Sequence, residues 1–74
     1  MARALHLLKD GDVELALAAV ARQLAEGDAV TVVALHGAAV PSLPAGATLR
    51  RVPDELSYDQ LLEAIFEADQ VIAW

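Results

Sequence analysis

The residues that could do chemistry are few. His6 and His36 are the only histidines, and the sequence contains no cysteine. The two histidines can come close if the segments carrying them pair as neighbouring strands. A metal would then need a third ligand, and Asp10 and Asp12 are the only nearby candidates. A histidine held by hydrogen bonds is the simpler reading, because buried polar groups almost always find partners. No serine is placed to form a nucleophile–base pair. Ser42 and Ser57 read instead as a loop residue and a helix cap. Gly11 lies where dinucleotide folds cradle phosphate, but that fingerprint needs three glycines. Here one glycine stands between two aspartates, and their carboxylates would repel a phosphate.

Two further features suggest contact rather than catalysis. Asp59, Glu63 and Glu67 recur at i, i+4 and i+8, forming an acidic ridge if that segment is helical. The ridge is either a solvated face or a docking surface for a basic partner. Trp74 is the only tryptophan. This residue type is enriched at interfaces because it couples a large apolar surface to one N–H donor. It reads as core packing or as an interface anchor or site edge.

The elements that must position these residues follow from pattern. Residues 4–8 form a short apolar run bounded by Lys9-Asp10-Gly11-Asp12 and are predicted to be a buried strand. Asp12 is a suitable N-cap for a helix over 13–26. Val13, Leu17, Val20 and Leu24 form its apolar stripe, with Glu14, Arg22, Gln23 and Glu26 off it. Gly27 can end that helix with positive φ. Residues 29–35 are β-branched and nearly all apolar, as a central parallel strand requires. A Pro- and Gly-containing loop begins at His36-Gly37. A third strand is predicted over 47–52, stopped by Pro53. Ser57 and Gln60 have capping-box spacing. They open a second helix with Tyr58, Leu61, Leu62, Ile65 and Phe66 as its apolar residues. A fourth strand is predicted over 70–74.

The expected architecture is therefore α/β: one domain over 1–74, a small parallel sheet in β-α-β-β-α-β order, with four strands and two helices. Such a sheet needs cover on both faces, and two helices cover at most about one face of four strands. Some apolar surface should remain for association.

Composition narrows the function. A 57% hydrophobic content excludes a disordered chain. At 74 residues, a domain hides only about 60% of its unfolded surface, so its core is marginal. Without disulfides, partner subunits are the remaining support. Residues 1–51 balance five acids against five bases, and the net charge of −6 comes from the six acids after Arg51. A nucleic-acid site needs a basic footprint, and an anionic membrane surface attracts one. Neither a nucleic-acid nor a membrane partner is expected. No apolar run approaches the roughly 20 residues of a membrane span, and no signal segment is visible. The expected compartment is the cytoplasm.

Several short motifs resemble the DsrH/TusB family. They are Leu5-His6-Leu7-Leu8; Leu24-Ala25-Glu26-Gly27-Asp28-Ala29-Val30 followed by His36-Gly37; Tyr58-Asp59-Gln60-Leu61; and Gln70-Val71-Ile72-Ala73-Trp74. That family has a tyrosine before its last helix and a terminal tryptophan, and the resemblance covers about two-thirds of the chain. It implies a DsrE-like α/β fold and hetero-oligomers with DsrE- and DsrF-like subunits. Those assemblies pass persulfide sulfur between proteins, for thiolation of tRNA wobble uridine or for sulfur oxidation.

Two departures qualify the resemblance. Residues 38–50 are shorter than the family's middle and lack its central helix. There is also no cysteine to carry a persulfide. The implied role is a non-catalytic structural or regulatory subunit of a sulfur-relay complex, with no cofactor and with DsrE/DsrF-like or self partners. The competing expectation is a free-standing homo-oligomer binding a small ligand at the ends of the first two strands. A minimal enzyme using His6 or His36 is the third. The expected partner or site-edge residues are Trp74, His36, His6, Asp59, Glu63 and Glu67.

Overall fold

A computed structural model describes residues 2–9, 13–35 and 42–74. Its elements are β1 (Arg3–Leu8), α1 (Val13–Ala25), β2 (Ala29–Leu35), β3 (Thr48–Val52), α2 (Tyr58–Glu67) and β4 (Gln70–Ala73). The four strands form one sheet in the order β3-β2-β1-β4. All three pairings are parallel. This is the α/β architecture that strand–helix–strand alternation dictates.

The strand order explains where the helices lie. The step from β1 to β2 moves across the sheet one way, and the step from β3 to β4 returns the other way. Both crossovers must be right-handed, so the two helices fall on opposite faces. Two core clusters mark those faces. Ala4, Leu8, Val30 and Val32 pack with Ala16 and Val20 of α1. Leu5, Val33 and Val52 pack with Leu61 of α2. The helices thus divide the cover between two faces instead of sharing one.

Local chemistry sets the helix ends. Gly27 has φ +88°, a left-handed conformation that suits a residue without Cβ. Its N–H donates to the Leu24 carbonyl at 3.0 Å, and the Asp28 N–H donates to the Gln23 carbonyl at 3.0 Å. That pair of bonds is a Schellman motif closing α1. At α2, the Gln60 N–H donates to Ser57 Oγ at 3.1 Å and the Ser57 N–H donates to Gln60 Oε1 at 2.9 Å. The capping box expected from the spacing is formed. Leu56 before the cap and Leu61 join the same core cluster, as in a hydrophobic staple. The expected cap at Asp12 lies outside the described residues.

The apolar residues of α2 do not all turn inward. Leu61 is buried, and Ala64 and Ile65 pack against its cluster. Tyr58 and Leu62 are each 53% exposed and Phe66 is 79% exposed. A stripe of five apolar residues is wider than one short helix can bury on a narrow sheet. Much of the excess apolar surface expected for two helices on four strands lies here, and Leu15 of α1 is also 59% exposed.

Candidate functional site

The side chain with the most chemical potential sits in the middle of the sheet. Ala4, His6 and Leu8 alternate onto the α1 face of β1, because successive strand residues point to opposite faces. Beneath α1, His6 is completely buried. Burying an imidazole without partners would be costly. Trp74 supplies one partner, its Nε1–H donating to His6 Nδ1 at 2.9 Å. Gln23 supplies the other, with His6 Nε2 and Gln23 Oε1 2.6 Å apart. Gln23 Nε2 in turn donates to Gln70 Oε1 at 3.0 Å.

The direction of this chain of bonds is determined by its ends. Indole nitrogen can only donate. His6 Nδ1 must therefore accept, which puts the imidazole proton on Nε2, and Nε2 then donates to the Gln23 carbonyl oxygen. The run Trp74→His6→Gln23→Gln70 ties β4, β1 and α1 together. Both histidine nitrogens are engaged by side chains of the chain itself. Among the described residues no group of three His, Asp or Glu side chains could hold a metal ion.

The expected site residues are thus distributed differently from a single contact surface. His6 is interior rather than at an accessible edge. Trp74 is half-buried and packs against the α1-side core. Its ring faces His6 and the core, although it stands at the carboxyl end of the sheet as parallel pairing of β4 requires. Asp59, Glu63 and Glu67 are exposed along α2, as the spacing implied. His36 and the loop at Asp10–Asp12 lie outside the described residues, so the ligand-binding expectation at those strand ends falls there too.

Sequence reasoning missed Gln23, which it placed off the apolar stripe. It is 7% exposed. A polar residue can occupy the buried face when a polar partner waits on the sheet, and His6 was the signal.

Two surface features flank α2. On one side is an open cleft of about 280 Å³, lined by Arg3, Leu5, Ala29, Thr31, Ala64 and Glu67 among others. It lies toward the amino ends of β1 and β2, opposite the end where α/β sheets usually hold ligands. On the other side Tyr58, Leu62 and Phe66 stand at i, i+4 and i+8. Val71 of β4 pairs in register with Leu5, which places it on the α2 face, and it is 40% exposed. Together these residues make an apolar strip along the β4 side of α2.

Among the described residues no helix is long and apolar enough to cross a membrane. No family model matches the chain, and neither the curated proteins nor the solved structures yield a match.

Proposed function

We propose that this chain works by association, as a non-catalytic cytoplasmic subunit of a sulfur-relay assembly of the DsrEFH/TusBCD kind. The observation that carries the associative reading is the apolar strip Tyr58–Leu62–Phe66–Val71, exposed beside an edge strand. Contiguous exposed apolar surface of this kind marks contact sites. The chemistry available elsewhere points the same way: His6 has both nitrogens engaged, and none of the 74 residues is a cysteine.

The pathway rests on the motifs that resemble DsrH/TusB: the Leu5-His6-Leu7-Leu8 start, the Tyr58-Asp59-Gln60-Leu61 helix start and the Gln70–Trp74 strand. A persulfide needs a thiol, so sulfur transfer would belong to partner subunits carrying cysteine. This chain would hold those subunits in place. The test is a transfer assay with a labelled sulfur donor, using DsrE- and DsrF-like subunits with and without this chain. The expected result is label on the partners only, with faster relay when this chain is present. Relay indifferent to the chain, or thiol-labile sulfur on the chain itself, contradicts the reading.

A further inference from the structure

The run Trp74→His6→Gln23→Gln70 holds together for one protonation state of His6. Its Nδ1 accepts from the Trp74 Nε1–H at 2.9 Å, and its Nε2–H donates to Gln23 Oε1 across 2.6 Å. A further proton can bind only at Nδ1, because Nε2 already carries one. The new N–H would face the indole N–H, two donors at hydrogen-bond distance. Indole has no acceptor to offer in return. Gln23 can go on accepting from Nε2–H, so the conflict falls on Trp74 alone. The cation would also be completely buried, and a buried charge without a counter-charge is costly.

The surroundings of the ring are neutral. On β1, Ala4 and Leu8 flank His6 on its own face. Val32 of β2 and Ile72 of β4 stand beside it in register. Ala16, Val20 and Gln23 are the buried residues of α1. The charged residues on or next to these elements, Arg3, Lys9, Glu14, Arg22, Glu26 and Asp69, are exposed. Asp28 is half-buried ahead of β2, at the amino end of the sheet, where the Ala29 N–H donates to the Ala2 carbonyl. Among the described residues no carboxylate is bonded to the ring.

β4 is the element least able to resist. It has four residues, and Gln70, Val71 and Ala73 are exposed. Within the sheet it pairs with β1 alone. Its apolar hold on the body is Ile72 and the neighbouring Trp74 ring, both half-buried.

We propose that His6 is an acid-operated latch. A proton from solvent forms an N–H bond at Nδ1, the hydrogen bond from Trp74 breaks, and β4 comes away from β1. β1, β2, β3 and α1 stay folded. The fold accommodates the neutral ring and not the charged one, so the latch is shut at higher pH and opens as pH falls. The inference does not depend on the sulfur-relay reading.

Trp74 is the only tryptophan, so its emission reports the latch directly. The scan runs from about pH 8 to about pH 5, where histidine changes charge. The emission maximum should shift reversibly to longer wavelength on acidification. Amide protection over Val71–Ala73 should be lost in the same range, while Val32–Ala34 of β2 stay protected. His6→Asn, whose amide oxygen can accept from the indole without titrating, should abolish both changes. His36→Asn should leave both in place. An emission maximum indifferent to pH overturns the proposal. So does a shift that survives His6→Asn or vanishes with His36→Asn, or protection lost from β2 and β4 together. If His6→Asn does not fold, the His6 Cε1–H resonance of the wild-type chain takes its place. Its titration midpoint should coincide with that of the emission shift, and separate midpoints overturn the proposal.

Discussion

His6 and Trp74, 68 positions apart in sequence, meet edge to edge in the folded chain. The indole Nε1–H donates to His6 Nδ1 at 2.9 Å. Their ring planes differ by 10° and their centroids are 6.1 Å apart. Nearly coplanar rings joined by one short bond at that separation touch at their rims, not their faces. The contact secures the last strand to the first and sets the histidine tautomer.

The first prediction separates the Trp74 bond from its packing. Trp74→Phe keeps an aromatic ring but leaves the buried His6 Nδ1 without a donor. That should cost about 1–3 kcal/mol of unfolding free energy. Trp74→Ala also removes the ring from the α1-side core, and a cost of about 3–5 kcal/mol is expected. Urea unfolding followed by circular dichroism measures both. Equal, small effects would mean that Trp74 serves something other than this core.

The second concerns Gln23. Gln23→Leu strands the buried His6 Nε2–H and should destabilise by about 1–3 kcal/mol, despite being the more hydrophobic residue. His6→Leu strands the Gln23 carbonyl oxygen in the same way. The double variant should be less damaging than the sum, with a coupling of at least about 0.5 kcal/mol. Strict additivity in chemical denaturation would mean that the two side chains do not act as a pair.

The third uses the acidic ridge. Glu63→Lys puts a base between Asp59 and Glu67, turning two like-charge i,i+4 neighbours into opposite-charge ones. As a solvated face, α2 should gain several tenths of a kcal/mol. As a docking flank for a basic subunit, it should lose affinity for that subunit and show a weaker salt dependence of binding. Thermal melts and a binding titration on the same variant decide between the two. Loss of stability would contradict the solvated-face reading, and unchanged affinity would contradict the docking reading.

Much of the fold was legible because its signals are local. The β-branched run 29–35 coincides with β2, Gly27 ends α1, and the Ser57/Gln60 spacing produced its capping box. What was not legible depends on non-local geometry. Which face each helix covers follows from the strand order β3-β2-β1-β4, and periodicity is silent on that order. Gln23 looked like a surface residue because its polar partners, His6 and Gln70, lie 17 and 47 positions away. Trp74 read equally as core packing or as an anchor, and only the register of β4 on β1 sets it against the core beside His6. The five apolar residues of α2 read as one stripe, although only part of it meets the sheet.

If this chain holds other chains through the exposed flank of α2 beside β4, that surface is required for assembly. The most direct test is native mass spectrometry of the assembly isolated from its own cells through a tag on this chain. Wild type is compared with Leu62→Asp/Phe66→Asp. The wild-type chain should emerge in a defined multimer with cysteine-bearing subunits, and the double variant, still folded, from a smaller assembly. A wild-type chain recovered alone as a monomer, or a multimer unchanged by the double substitution, would contradict it.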